Sequence, residues 1–236
     1  MNRPGEFSSW PPSVAVAPSA TESLVKSSSS ICSFTEQFSP RHFQVIVSGE
    51  IVSASIDGGR GSGPLVCRYL FVHGPDWRII SGEEQAISQS AYAAGASNLA
   101  LEFLSYPLNA DQDQVVWNFP FSLIFKSTNP FGWPRLVICV YGTDWLNRRV
   151  VIGYTSVHVP TQPGRHIHTL QLYSITSSSW MQRLVAWATG CRPEYVDPQT
   201  AARSEGREVV RTSHAGRIKV CFNVLSRDLQ QLQYSL

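Results

Sequence analysis

The sequence predicts an all-β protein, an antiparallel sandwich with one short helix, behind a disordered N-terminal leader. Three observations carry this. Residues 117–126 (WNFPFSLIFK) place Trp117, Phe119, Phe121, Leu123 and Phe125 at every odd position, with Asn118, Pro120, Ser122, Ile124 and Lys126 between them. That alternation belongs to a strand with one buried face. Seven or more such short segments follow one another with turn residues between them and a single helical pattern, which is the spacing of a sandwich. The composition agrees. Hydrophobic residues at 43% and aromatics at 11% supply a core for one domain, and charged residues make up only 15% of the 236, against a usual ~25%.

The elements follow in order. Residues 1–40 are Ser/Pro-rich, with SSSS at 27–30, and read as a mostly disordered leader. The folded domain spans 41–228 and a tail covers 229–236. A first strand is expected over 43–56, bent at Gly49. GGRGSG at 58–63 invites a phosphate-loop reading, but no Lys-Ser/Thr follows and a strand stands where a helix should begin, so it reads as a hairpin loop. Leu65, Cys67, Tyr69 and Phe71 share one face of a strand over 65–72, and 82–90 holds a helical turn. Residues 91–113 are Ala/Leu-rich and then acidic, and are taken as a loop insertion. The strand over 115–126 turns at Ser-Thr-Asn-Pro (127–130) and returns over 136–141, a hairpin at the centre of the core. Strands over 150–159, 168–175 and 218–225 complete the sheet. The helix starts at a cap on Ser178 or Ser179, has Trp180, Leu184 and Trp187 at helical spacing, and stops at Gly190.

The net charge of +2 is unevenly placed: residues 1–134 carry 7 basic against 11 acidic side chains, residues 135–236 carry 12 against 6. This is too mild for a dedicated nucleic-acid binder. It suits a weak contact with an anionic membrane or an acidic partner, and the predominance of Arg favours carboxylate or phosphate pairing. The five cysteines (Cys32, Cys67, Cys139, Cys191 and Cys221) form no CxxC pair. Cys67, Cys139 and Cys221 lie in strands and read as buried thiols. No Asn-x-Ser/Thr sequon, signal-peptide pattern or long apolar run is present. The expected compartment is the reducing cytoplasm.

Candidate chemistry is sparse. His158, His166 and His168 could ligate zinc, and the His-Ile-His pair faces one side of its strand, but no nearby Cys or carboxylate completes a four-ligand site. Asp57, Asp76, Asp111, Asp113 and Asp144 are scattered among loops, whereas calcium wants six to eight oxygens. Cys191 beside Arg192 could be an activated thiol, yet it follows a helix C-terminus, which opposes ionisation. No catalytic residue, cofactor or metal site is expected. Trp133 and Trp145 either cover the sandwich ends or anchor a partner. Trp145 with Arg148 and Arg149, joined by Arg165 and Arg192 of the basic half, is the candidate partner or lipid contact.

Longer strings carry a resemblance. VWNFPFSLIFKSTNPFGWPRLVICVYGTD, GYTSVHVPTQPGRH, RPEYVDP and EGREVVR, with VSGEIVSASI, LVCRYLFVHGPDW and EEQAISQS before them, resemble the B9-domain family over about residues 43–225, apart from 91–113. The resemblance implies a C2-like (B9-type) sandwich without catalytic residues. It implies a structural component of the ciliary transition zone, on the cytoplasmic side of the cilium base near the basal body. There the family's members, including the second small B9 protein and the Meckel syndrome type 1 protein, associate in a tectonic-like complex. That complex gates membrane-protein entry and supports ciliogenesis. The leader and the 91–113 insertion fall outside the family pattern.

Overall fold

The computed structural model describes residues 41–57, 63–93, 114–143, 148–177, 179–181, 184–185, 193–203 and 210–229. Among these residues nine strands are formed: β1 (Phe43–Ile56), β2 (Val66–Val72), β3 (Trp77–Gly82), β4 (Gln85–Ile87), β5 (Gln114–Ser127), β6 (Arg135–Thr143), β7 (Arg149–His158), β8 (Gly164–Ile175) and β9 (Thr212–Arg227). They make one antiparallel sheet in the order β3-β5-β1-β9-β8-β7-β6-β2-β4.

The sheet curls onto itself. β5 is second from one end and β2 second from the other, yet their side chains meet. The Tyr69 ring lies 5.3 Å from Phe119, and Phe71 lies 5.7 Å from both Phe121 and Phe125. The fold line is β7–β8, which are registered only through Tyr154 and Tyr173. The result is a sandwich with a five-stranded layer (β3-β5-β1-β9-β8) and a four-stranded layer (β7-β6-β2-β4). The odd residues of β5, from Val115 to Phe125, all face the core between the layers, as the alternation predicts, with Trp117 and Phe125 buried. The Trp117 indole donates to the Leu65 carbonyl at 3.2 Å, so a polar atom carried into the core is satisfied there.

A second apolar cluster lies on the outside of the four-stranded layer. Leu70, Val137, Cys139, Val151 and Tyr154 are covered there by Tyr195, Ala201 and Ala202. The covering segment carries a 3-10 turn (Pro198–Ala201) in which the Asp197 carboxylate accepts from the Gln199 N–H, and the Tyr154 hydroxyl accepts from the Tyr195 N–H at 3.2 Å.

Several expectations are corrected. The segments over 114–127 and 135–143 are not a hairpin: β5 pairs with β1 and β3, and β6 with β2 and β7. The turn between them crosses from one layer to the other. It is held by Ser127, whose hydroxyl meets the Asp76 and Asn129 carbonyls, and by Asn129, which caps the Phe131 N–H. The helical turn expected over 82–90 is instead the end of β3 and all of β4. Gly82 at φ +101° breaks the chain there, and the Ser88 hydroxyl accepts from the Cys67 N–H. The irregularity in β1 falls between Ile51 and Ser53 rather than at Gly49. β8 and β9 extend well beyond the segments expected. Trp180, Met181, Leu184 and Val185 are helical, but their side chains are exposed rather than packed. The leader, most of the 91–113 insertion, the GGRGSG loop up to Ser62, Trp187, Gly190 and most of the tail lie outside the described residues.

Candidate interaction surface

Arg149 opens β7 opposite Thr143, two residues from the Val151–Tyr141 pair, and its guanidinium sits 5.4 Å over the Tyr141 ring. Because Tyr141 and Val151 belong to the outer cluster, Arg149 lies on the outer face of the four-stranded layer. Arg148 precedes it and is half-buried. Arg165 stands opposite Asn223 on β8, and its Nε donates to the Cys221 thiol at 3.3 Å on the outer face of the five-stranded layer. The described members of the predicted contact therefore divide between opposite faces of the sandwich. Trp145, Arg192, Cys191, Asp111, Asp113 and Asp144 lie outside the described residues. Trp133 covers a sandwich end: its indole donates to the Val159 carbonyl at 2.8 Å and meets Trp77 edge-on at 5.1 Å.

The two outer faces differ. The 193–203 segment packs on that of the four-stranded layer. The five-stranded layer presents its own strands, and register alone builds a surface there. Arg78, Lys126, Gln44 and Arg227 form one row across β3, β5, β1 and β9. Ile124, Ile46 and Leu225 form the next row of the same face, then Ser122, Ser48, Asn223 and Arg165. Ile167 and Cys221 follow beside Glu50, and Lys219 and Arg217 stand opposite Thr169 and Gln171. Among the described residues six cations thus share the face with Glu50, and Asp57 at the end of β1 is engaged by His214. Asp228 stands at the rim, 3.5 Å from Arg227. Of these six, sequence reasoning found only Arg165. The polar alternation of β5 and β9 signals Lys126, Arg217, Lys219 and Arg227 one strand at a time, but nothing in it says that the strands are neighbours.

The remaining candidates are accounted for by their contacts. His166 and His168 do face one side, stacked at 6.3 Å, and His168 packs against Phe222. His158 sits opposite Arg135 on another strand pair, and burial, then Arg135, holds its imidazole below the usual range. Asp57 pairs with His214 at 2.8 Å, and the Asp76 carboxylate accepts from the Asn129 amide. Among the described residues no three His, Cys, Asp or Glu side chains stand together as a metal site. Cys67, Cys139 and Cys221 are buried free thiols. Burial pushes the Cys67 thiol well up and that of Cys139 to about 12, which suppresses thiolate chemistry. A cavity of about 140 Å³ between β2, β4 and the 3-10 turn is lined by Arg68, Glu84, Gln85 and Asp197, small beside ordinary ligand pockets.

The described residues define an antiparallel β-sandwich module. Residues 45–225 match the profile of the B9-C2 family, described as "Ciliary basal body-associated, B9 protein". The chain is 42% identical over 196 residues to B9 domain-containing protein 1 of Xenopus laevis, covering 83% of this chain and 90% of that protein. It is 27% identical to B9 domain-containing protein 2 of Rattus norvegicus, covering 78% and 94%. Among solved structures, a C2 domain of plant Extended Synaptotagmin 1 aligns at 12% identity and a TM-score of 0.36, over 76% of this chain and 92% of that one. The chain belongs to the B9 family of ciliary proteins.

Proposed function

We propose that the chain is a non-enzymatic structural component of the ciliary transition zone. It assembles there with other B9-domain proteins, the second small B9 protein and the Meckel syndrome type 1 protein, in a tectonic-like complex. The complex sits on the cytoplasmic side of the cilium base, gates membrane-protein entry and supports ciliogenesis. The observation that carries this reading is the 42% identity across 90% of the length of a B9 domain-containing protein 1. The cation-rich outer face of the five-stranded layer, which none of the other described residues pack against, supports an assembled state, since a charged face with an apolar centre suits a partner.

The test is a pull-down of the full chain with the two other B9-type proteins of the same organism, together with localisation of a tagged copy. Stable association and a signal at the cilium base are expected. A free monomer that ignores both proteins and sediments with vesicles of phosphatidylcholine and phosphatidylserine would replace this reading by that of a stand-alone anionic-lipid module. Arg148→Glu/Arg149→Glu separates the two further. Loss of localisation with intact partner binding makes lipid contact primary; loss of partner binding places these arginines in the protein interface.

A further inference from the structure

The outer face of the five-stranded layer has a pattern that selects among occupants. Arg78, Arg165, Arg217, Lys219 and Arg227 are exposed and Lys126 is half-buried. Between the cation rows lie Ile46, Ile124 and Leu225, the last of these 61% exposed, with Ile167 further along at 56%. Adjacent strands stand ~4.8 Å apart, so five strands give a platform roughly 20 Å across.

We propose that this platform is the docking site for an acidic face of a different protein, one that sets carboxylates against the cation rows and an aliphatic ridge into the Ile46–Ile124–Leu225 row. This rests on the reading of the chain as an assembled component. Three features single out that occupant. A second copy of this chain in two-fold pairing would bring the Arg78–Lys126–Arg227 row against another cationic row, and like charges so placed oppose association. A plane of lipid headgroups would meet the tips of the long Arg and Lys side chains and leave the shorter aliphatic row uncovered. A protein surface can follow both levels, with an apolar centre inside a charged rim, which is the usual anatomy of an interface. The face is also preorganised: its cations stand on paired strands, and Arg165 is fixed by its bond to the Cys221 thiol. Rigid placement lowers the ordering cost of binding.

Lys126 and Lys219 report on the face directly, because the chain's other lysine, Lys26, lies in the leader. The experiment isolates the tagged full chain from ciliated cells in mild non-ionic detergent, labels it with an amine-reactive acetyl ester, and measures each lysine by mass spectrometry. The same chain stripped of partners is the reference. Several-fold protection of Lys126 and Lys219, relative to Lys26, is expected in the isolated complex. Arg78→Glu/Arg217→Glu, at two ends of the face, should abolish the protection and release the bound protein without changing the melting temperature of the stripped chain. Equal labelling of complex and stripped chain overturns the docking site while leaving the assembly reading standing. Absence of any bound protein overturns both. Protection seen in crude membranes and lost in detergent, with partner proteins still bound, assigns the face to lipid and also overturns the proposal.

Discussion

Gly49 offers a sharp test of the packing. It lies on the core side of β1, opposite Phe121 on β5 and Phe222 on β9, whose rings meet edge-on at 5.6 Å. A Cβ placed on Gly49 would stand 2.1 Å from the Cys221 carbonyl oxygen and 2.7 Å from Phe121 Cζ. Its backbone is not in the left-handed region, so Gly49→Ala carries no φ penalty. Stiffening the unfolded chain would by itself stabilise by ~0.4–1 kcal/mol. Overpacking costs ~1–3 kcal/mol, and a backbone oxygen locked in a sheet ladder cannot swing aside, which puts this site at the upper end. The net expectation is a loss of about 2 kcal/mol. With a urea m-value near ~2 kcal/mol/M the unfolding midpoint falls by about 1 M, readable by tryptophan fluorescence. An unchanged or raised midpoint would refute the packing. Phe121→Leu on top of Gly49→Ala identifies the obstacle. If the ring blocks the methyl, the double variant recovers part of the loss; if the carbonyl does, the two effects add within ~0.3–0.5 kcal/mol.

Phe125→Ala, at a side chain buried against Phe71 and Trp77, should cost about 3–5 kcal/mol; unchanged melting would contradict the strand-face assignment. Removing residues 1–38 should leave the melting temperature unchanged, and loss of soluble expression would count against a leader with no part in the core. His158 should make a small acid-side contribution. Its folded pKa is depressed by burial and Arg135, so the unfolded state takes up the proton first. Stability is then complete above the unfolded value near 6.5 and falls as pH drops through the lowered folded value. His158→Gln should flatten that part of the stability–pH curve, and an identical curve would remove His158 as its source. Native-state titration with a thiol reagent should leave Cys67 and Cys139 unmodified until unfolding; rapid modification of either would contradict their burial.

What the sequence disclosed depended on whether a strand had one wet face. β5 and β9 do, and their alternation showed which residues enter the core. β3 buries little: Arg78, Ile80, Ser81 and Gly82 are all exposed, so this edge strand leaves no clear periodic trace and 77–81 suggest no element, while β4, three residues long, reads as a helical turn. The supposed hairpin failed for another reason. Alternation fixes which way a side chain points but is silent about the neighbouring strand, and Asn-Pro turns a chain equally well within a layer or between layers. The same silence scattered the predicted arginines. Net charge by halves of the chain groups Arg165 with Arg148 and Arg149, whereas pairing of β8 with β9 puts Arg165 on the same face as Lys219 and Arg217 instead.

β9 is the ninth strand made and the fourth in the sheet, between β1 and β8. On a translating ribosome this means that β1, starting at Phe43, waits for a partner that ends at Arg227. At ~5–20 residues per second the interval is roughly 10–40 s. Throughout it the β1 edge lies open beside a nascent apolar core, the circumstance that draws chaperones and, failing them, edge-to-edge aggregation. A message cut short before Thr212 would therefore yield a chain that lacks the middle of its larger layer rather than a trimmed domain. Such a product should be cleared by quality control, not merely weakened in binding.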